Sequence, residues 1–224
     1  MDRAASVSRG IFITLEGPDG AGKSSQQRLL VDRLMASTVR EVVATREPGG
    51  TTLGERIRGI LLESETAHEP IVDALLFNAA RRALVEDVVG PAMSRGAVVV
   101  CDRFSDSTLA YQGYGGGAPF EDLQALADVA TGGLRPTRTV LLDVHVETGL
   151  ARRRGGPAAE MTRFESSDDH DREFHERVRA GYLALAAAEP ERWRIVEASG
   201  PPERVADSVW DAVRDLFEVA RSRS

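Results

Sequence analysis

The chain has 224 residues, of which 42% are hydrophobic and 28% charged, which suits one domain with a full apolar core. Its formal net charge of −7 disfavours non-specific binding to nucleic acid, which requires a basic surface. No run approaches the roughly 18 apolar residues of a membrane span, no apolar leader precedes the first strand, and the one cysteine, Cys101, cannot form a disulfide within the chain. We therefore expect a single cytoplasmic domain, residues 1–224, that binds neither nucleic acid nor membranes.

Apolar runs typical of buried strands alternate with helical patterns along the chain. Strands are predicted at residues 10–16, 41–45, 97–102, 139–144 and 193–196. Helices are predicted at residues 23–36, 53–63, 72–95, 120–131, 147–154, 169–188 and 203–220. Nearly continuous apolar strands separated by helices indicate a parallel sheet that is covered on both faces. We predict a doubly wound α/β domain with five strands, whose ligands bind beyond the carboxyl ends of the strands.

Residues 17–24 follow the first predicted strand, open a helix and fit the phosphate-loop pattern G-x-x-x-x-G-K-[ST]. Glycines in such a loop let backbone N–H groups converge on phosphate oxygens, and the helix N-terminus adds its dipole. Lys23, the only lysine in the chain, places a compact charge on the β- and γ-phosphates, and the hydroxyl of Ser24 can hold Mg²⁺. The predicted nucleotide-binding residues are Gly17, Asp19, Gly20, Ala21, Gly22, Lys23, Ser24 and Ser25. The loop predicts a protein that binds a nucleoside triphosphate and transfers its phosphoryl group.

Two acidic residues near this loop have more than one interpretation. Asp19 would repel bound phosphates, so it either faces a sugar hydroxyl or a metal, or only shapes the turn. Asp102 ends an apolar strand in the way that a Mg²⁺-binding carboxylate does, although Asp143 also ends a strand. We favour Asp102 because Arg103 follows it and could hold a second phosphate; the alternative is an ion pair facing solvent.

Arginines elsewhere in the chain also have a functional and a structural interpretation. Arg46 follows the second strand, where it could dock an acceptor phosphate while Glu47 serves a metal or water, or the two could form a plain loop salt bridge. Phe77 and Arg81 share one helical face, which suits stacking and hydrogen bonding of a planar base, although Phe77 could simply be a core residue.

Arginines cluster at residues 152–154, which are followed by a Gly-Gly-Pro segment at 155–157 and by Arg163. This pattern predicts a flap that supplies a catalytic arginine in cis, which is worth about 10³–10⁵ in rate. The alternative is a solvated helix end, where arginine favours the helix dipole.

Taken together, these motifs resemble those of the thymidylate kinase family, which phosphorylates dTMP with ATP. The matching segments are EGPDGAGKSS (16–25), TREPGGT (45–51), LLFNAAR (75–81), DRFSDSTLAYQG (102–113), RFE (163–165) and FHERVRAGYLALA (174–186). The resemblance implies a P-loop nucleoside monophosphate kinase fold, Mg²⁺ as the metal, ATP and dTMP as substrates, and a homodimer.

The resemblance also implies roles for individual residues. Phe77 would stack on thymine, and the base edge would contact Arg81, Thr108 and Gln112. Tyr111 would disfavour ribonucleotides, Asp19 would meet the 3′-hydroxyl, and the segment 198–201 would wrap the adenine. The dTMP phosphate would be held by Arg46 and Arg103, with Arg58 nearby, and Mg²⁺ would be held by Ser24 and Asp102, with Glu47 close by.

The catalytic arginine of some relatives lies in the phosphate loop, but this loop has no arginine. The resemblance is therefore to members in which the LID, here about residues 150–165, supplies it. We expect Arg153 or Arg154 to act with Arg163, alongside Lys23 and Arg103. The chain has Thr162 where the family usually has aspartate, which alters the expected geometry of the LID.

Another nucleoside or nucleotide kinase of the same fold is the alternative that the motifs leave open. A GTPase would need an Asn-Lys-x-Asp motif, which the single asparagine, Asn78, and the single lysine cannot form.

Overall fold

The computed structural model describes residues 10–63, 68–154 and 169–218. Its five strands are β1 (Ile11–Glu16), β2 (Val42–Arg46), β3 (Val98–Asp102), β4 (Arg138–Asp143) and β5 (Trp193–Glu197). They form one parallel sheet in the order β2-β3-β1-β4-β5. The predicted five-stranded parallel sheet is confirmed, and each strand boundary differs from the prediction by one residue at most.

Helices connect these strands. They are α1 (Lys23–Ser37), α2 (Thr52–Glu63), α3 (Pro70–Leu84), α4 (Gly90–Ser94), α5 (Ser105–Thr108), α6 (Phe120–Thr131), α7 (Val146–Arg154), α8 (Asp169–Ala188), α9 (Pro202–Asp211) and α10 (Asp215–Glu218). The helix predicted at 72–95 is α3 continued through a π-helical segment, Val85–Val89, into α4. Among the described residues, no helix combines the length and apolar character that crossing a membrane requires.

Two parts of the prediction are wrong. The helix predicted at 203–220 ends at Asp211, and α10 follows a turn in which the Ala212 carbonyl accepts a hydrogen bond from Arg138 of β4 (2.6 Å). Residues 105–115, for which no helix was predicted, form α5 and a second π-helical segment, Leu109–Gly115. This second segment is rich in glycine and has little intrinsic helix propensity, so it depends on packing against α8.

The core lies on both faces of the sheet because successive strand residues point to opposite sides. Ile11, Ile13 and Leu15 of β1 pack in one cluster with apolar residues of α1 and α9. Phe12 points the other way and packs with residues of the segment that runs from α3 to α4. The sheet is therefore covered on both sides, as a doubly wound fold requires.

The strand order reverses beside β1. The chain passes from β1 outward to β2, returns to β3, and then crosses to β4 on the other side of β1. In open parallel sheets, ligands bind at such a switch point, beyond the carboxyl ends of the strands. The loop that follows β1 is the glycine-rich segment 17–24.

Candidate active site

A cleft of about 800 Å³ opens at the carboxyl ends of β1, β2 and β3. The residues predicted for the site that line it are Asp19, Gly20, Ala21, Gly22, Lys23, Ser24, Ser25, Arg46, Glu47, Arg58, Phe77, Asp102, Arg103, Thr108, Tyr111, Gln112 and Arg153. Gly17, Arg81 and Arg154 do not line it, although Gly17 and Arg81 contact residues that do. Arg163 lies outside the described residues, so its role stays a prediction.

Lys23 begins α1 and is buried at the floor of the cleft. Its Nζ atom donates to the carbonyl oxygens of Gly17 (3.0 Å) and Pro18 (2.8 Å). Burial lowers the pKa of Lys23 to about 8, and the charge of Arg103 acts in the same direction. The ammonium group is therefore desolvated and held within the loop.

Ser24 and Asp102 form the part of the site that suits a metal ion. The Ser24 hydroxyl donates to Oδ2 of Asp102 over 2.6 Å, which brings two oxygen ligands to the end of β3. Asp143, the competing acid, binds Arg179 instead. Within the described ranges, no group of three His, Cys, Asp or Glu side chains could hold a metal. The donors thus fit Mg²⁺, which takes few protein ligands and completes its shell with water and phosphate.

Asp19 lies between two arginines. Its Oδ1 atom is 2.5 Å from Nη2 of Arg103, and its Oδ2 atom is 3.2 Å from Nη1 of Arg153. Burial opposes ionisation, but the charges of Arg103, Lys23 and Arg153 hold the pKa of Asp19 well below its usual range. The carboxylate is therefore ionised, and it joins the phosphate loop to both β3 and α7.

The phosphate loop also packs directly on α7. Gly149 approaches the loop so closely that a Cβ atom on it would collide with the backbone oxygen of Asp19. A Cβ atom on Gly20, whose φ is +72°, would collide with the Gly149 backbone. One turn further along α7, Arg152 donates to the carbonyl oxygens of Ala198 and Ser199, both over 2.8 Å. Helix α7 thus contacts the phosphate loop and the segment predicted to wrap adenine.

A buried ion pair supports the part of the cleft wall that Glu47 and Thr108 line, which we call the acceptor wall. Arg81 of α3 is 1% exposed, and its Nη2 atom lies 2.7 Å from Oε2 of Glu47. The same guanidinium donates to Asn78 (2.8 Å), to the Phe104 carbonyl (3.1 Å) and to Thr108 (3.1 Å). Glu47 accepts its hydrogen bonds from Arg81, so in this structure the carboxylate holds the guanidinium in place.

The remaining predicted residues rim the cleft. Phe77 packs against Ile57 and Leu61, as a core residue would, and it also lines the cleft, where a base could stack on it. Arg46 is half-exposed and faces the cleft, and it pairs with Glu55 of α2 at 3.1 Å. Glu47 pairs with Arg81 instead, so the loop salt bridge between Arg46 and Glu47 does not form. Arg58 donates to the Pro48 carbonyl over 3.1 Å.

Three residues around Arg103 have no role predicted from the sequence: Glu16, Ser107 and Tyr182. The Nη1 atom of Arg103 donates to the hydroxyls of Ser107 (3.2 Å) and Tyr182 (3.1 Å). Both hydroxyls also contact Glu16, the last residue of β1. An acid at the end of an apolar strand was the only available signal for Glu16, and spacing along the chain gives none for its partners.

A phosphate loop at the switch point of a parallel sheet, with a strand-end carboxylate bound to its serine, is the arrangement of a P-loop NTPase, the class that includes the nucleoside monophosphate kinases. The family model described as thymidylate kinase matches residues 15–209, and the chain belongs to this family.

Individual relatives agree with this assignment. The thymidylate kinase of Thermomicrobium roseum is 52% identical over 210 residues, covering 94% of this chain and 97% of its own. That of Deinococcus radiodurans is 46% identical over 211 residues, covering 93% and 98%. The crystal structure of thymidylate kinase from Ehrlichia chaffeensis matches with a TM-score of 0.75 at 31% identity, covering 92% of this chain and 99% of its own.

Proposed function

We propose that this protein transfers the γ-phosphoryl group of ATP to the 5′-phosphate of dTMP, giving dTDP. The observation that carries this proposal is the double role of the phosphate loop. Lys23 and Ser24 line the cleft and would present a charge and a hydroxyl to a triphosphate, while Asp19 of the same loop binds Arg103 and Arg153. One short segment is thereby in position to contact the donor and the acceptor.

On the donor side, the loop N–H groups and Lys23 would bind the β- and γ-phosphates, with Gly17, Gly20, Ala21, Gly22 and Ser25 shaping the nest. Ser24 and Asp102 would hold Mg²⁺. When bound, Mg²⁺ would supply positive charge that offsets the negative charge of the phosphates. Arg152 holds the segment against which adenine would lie, by donating hydrogen bonds to the carbonyls of residues 198 and 199.

On the acceptor side, Arg46 and Arg103 would hold the dTMP phosphate, with Arg58 near it. Phe77 would stack on the base, and its edge would meet Arg81, Thr108 and Gln112. Tyr111 would lie beside the sugar and Asp19 near its 3′-hydroxyl. The buried Glu47–Arg81 pair supports this side by fixing the guanidinium before the nucleotide binds.

The reaction asks for positioning rather than for a general base, because the acceptor phosphate is already anionic. An acceptor oxygen forms a bond to the γ-phosphorus as the bond from that phosphorus to the β,γ-bridging oxygen breaks. Lys23, Arg103 and a LID arginine would stabilise the charge that spreads over the transferring group. We propose Arg153 for the LID role with Arg154 and Arg163 as the other candidates, because Arg153 contacts Asp19 and lines the cleft.

A coupled ADP-release assay with ATP and Mg²⁺ tests the proposal. The purified chain is offered dTMP, dUMP, UMP, CMP and dGMP in parallel, and we expect dTMP to have the highest kcat/KM. Equal use of several acceptors would favour the alternative, a less selective nucleotide kinase of the same fold. Turnover of none of them would overturn the kinase assignment.

We also propose a cytoplasmic homodimer. Four exposed apolar residues support self-association: Leu53 and Ile60 on α2, and Val72 and Leu75 on α3. These two helices pack against each other, so a second copy could cover both. Light scattering on wild type and on Leu75→Glu tests the dimer: we expect twice the chain mass for wild type and a lower mass for the variant.

A further inference from the structure

Glu16 is a fully buried carboxylate at the end of β1 that does not line the cleft. It accepts three hydrogen bonds: from the Phe104 backbone N–H (2.7 Å), from the Ser107 hydroxyl (2.6 Å) and from the Tyr182 hydroxyl (3.1 Å). An ionised carboxylate is a pure acceptor, so these donors match it. Burial, reinforced by the carboxylate of Asp106, raises its pKa to about 7, so keeping an acid here is costly. Such a residue calls for an explanation beyond packing.

The two side-chain donors connect Glu16 to Arg103. Ser107 and Tyr182 each present a hydroxyl oxygen to the Nη1 atom of Arg103, at 3.2 and 3.1 Å. A hydroxyl has one proton and two lone pairs. When both protons point at Glu16, the lone pairs are free to accept from the guanidinium. The two hydroxyl oxygens also lie 2.8 Å apart, so one hydroxyl can donate to the other while that other donates to Glu16. In either arrangement the carboxylate draws the protons away from Arg103 and leaves a lone pair of each oxygen facing the guanidinium.

Glu16 also constrains the backbone of Arg103. Arg103 has φ of +69°, and it is the one non-glycine residue with positive φ in the described part of the chain. This left-handed conformation is strained for a residue with a Cβ atom. The Arg103 N–H donates to the Leu15 carbonyl (3.0 Å), and the next N–H along the chain, that of Phe104, donates to Glu16. Consecutive residues of β1 thus hold both peptide groups that flank the strained residue.

We propose that Glu16 is a positioning residue for phosphoryl transfer, because it holds the backbone and the guanidinium of Arg103 in the orientation that binds the acceptor phosphate. The inference rests on the proposed function, in which Arg103 contacts that phosphate. Glu16 itself touches neither substrate. It acts through the Phe104 N–H and through the hydroxyls of Ser107 and Tyr182.

The central test is Glu16→Gln, which keeps the volume and one acceptor oxygen but turns an NH₂ group toward the two hydroxyls. The hydroxyls must then accept from glutamine, and their protons face Arg103. We expect the KM for dTMP to rise at least about tenfold, as for a lost charge-assisted contact, while the KM for ATP stays within about twofold. Thr14→Val, in the same strand as Glu16, is the matched control, since it removes a buried hydrogen bond to Thr139 of β4 and Thr14 makes no contact with Arg103, Ser107 or Tyr182. We expect it to leave both KM values unchanged.

A double-mutant cycle separates a positioning role from a purely structural one. In an Arg103→Met background, adding Glu16→Gln should cause no further loss of kcat/KM for dTMP, because the group it positions is gone. If Glu16→Gln fails to fold, Ser107→Ala combined with Tyr182→Phe removes the same connection, and the KM for dTMP should again rise selectively.

The outcomes distinguish the two proposals. A wild-type protein that turns over dTMP while both the glutamine variant and the double hydroxyl variant keep wild-type KM and kcat would overturn the role of Glu16 alone. An equal loss on adding Glu16→Gln with and without Arg103 would also overturn it. A wild-type protein that fails to use dTMP would instead refute the proposed function.

Discussion

The ion pair between Glu47 and Arg81 allows a quantitative test of how the acceptor wall is stabilised. Both side chains are nearly inaccessible, at 4% and 1% exposure. Glu47→Gln keeps the volume and removes the charge, which leaves a guanidinium in the interior without its counter-ion. Removing one partner of a buried pair costs about 3–5 kcal/mol. For a domain of this length each kcal/mol lowers Tm by roughly 2–4 °C, so we expect a drop of roughly 6–20 °C.

The pair between Arg138 and Asp215 provides a matched control. Its arginine is similarly buried, at 7% exposure, but its carboxylate is 57% exposed. Asp215→Asn should therefore cost less, about 1 kcal/mol, because water around the exposed carboxylate already weakens its attraction to Arg138. The comparison isolates the burial of the carboxylate, since the change from acid to amide is the same.

Urea unfolding followed by circular dichroism measures both variants, with the midpoint giving the change in stability where the slope m is unchanged. Adding Arg81→Met to Glu47→Gln should recover part of the loss, because the stranded charge is removed. A cost below about 1 kcal/mol for Glu47→Gln would refute the reasoning. It would mean that Asn78, Thr108 and the Phe104 carbonyl satisfy the guanidinium without the carboxylate.

Three further predictions follow from the phosphate loop and its surroundings. Gly149→Ala should lower kcat by about 10–100-fold in the coupled assay, because the added methyl group forces α7 away from the phosphate loop. Ala151→Ser, on the exposed side of the same helix, is the control and should leave kcat unchanged. Lys23→Arg should lower kcat by about 10²-fold or more although the positive charge is kept. The reason is that a planar, forked guanidinium does not fit the position in which the ammonium group donates to the Gly17 and Pro18 carbonyls. Near-normal turnover would contradict this. The folded-state pKa of Glu16, about 7, exceeds its ordinary value of 4.5, so between these values the folded chain binds more protons than the unfolded chain and stability falls as pH rises. Urea unfolding at pH 5.5 and 8.5 should show Glu16→Gln gaining stability relative to wild type at the higher pH, and a constant difference would show that Glu16 is not the group responsible.

The fold could be predicted because its signals are local. Apolar runs such as 97–102 and the loop at 17–24 carry their structure within a few residues, and the order of strands and helices then restricts the topology. The helical segment 105–115 could not be predicted in this way. Gly113 and Gly115 weaken the local preference, and contacts with α8, more than fifty residues away in the sequence, stabilise the helix.

The site could be predicted only in part, for a similar reason. Helical periodicity places Phe77 and Arg81 on one face, but it does not show that Glu47 is the partner of Arg81. The link from Glu16 to Arg103 through Tyr182 joins three segments separated by about eighty residues each. These groups come together only when the chain folds, and no sequence pattern within one segment predicts their contacts.

The position of Lys23 has a consequence for chemical labelling. It is the only side-chain amine in the chain, so any reagent selective for lysine reports on the phosphate loop alone. Burial lowers its pKa to about 8, which leaves a sizeable fraction of the amine neutral and nucleophilic near neutral pH. The arginine-rich surface does not react with the same reagent, so the α-amino group at the start of the chain is the one other amine to be distinguished, by peptide mapping. The phosphate loop can therefore be labelled at Lys23 for spectroscopy or mass spectrometry without any engineered residue.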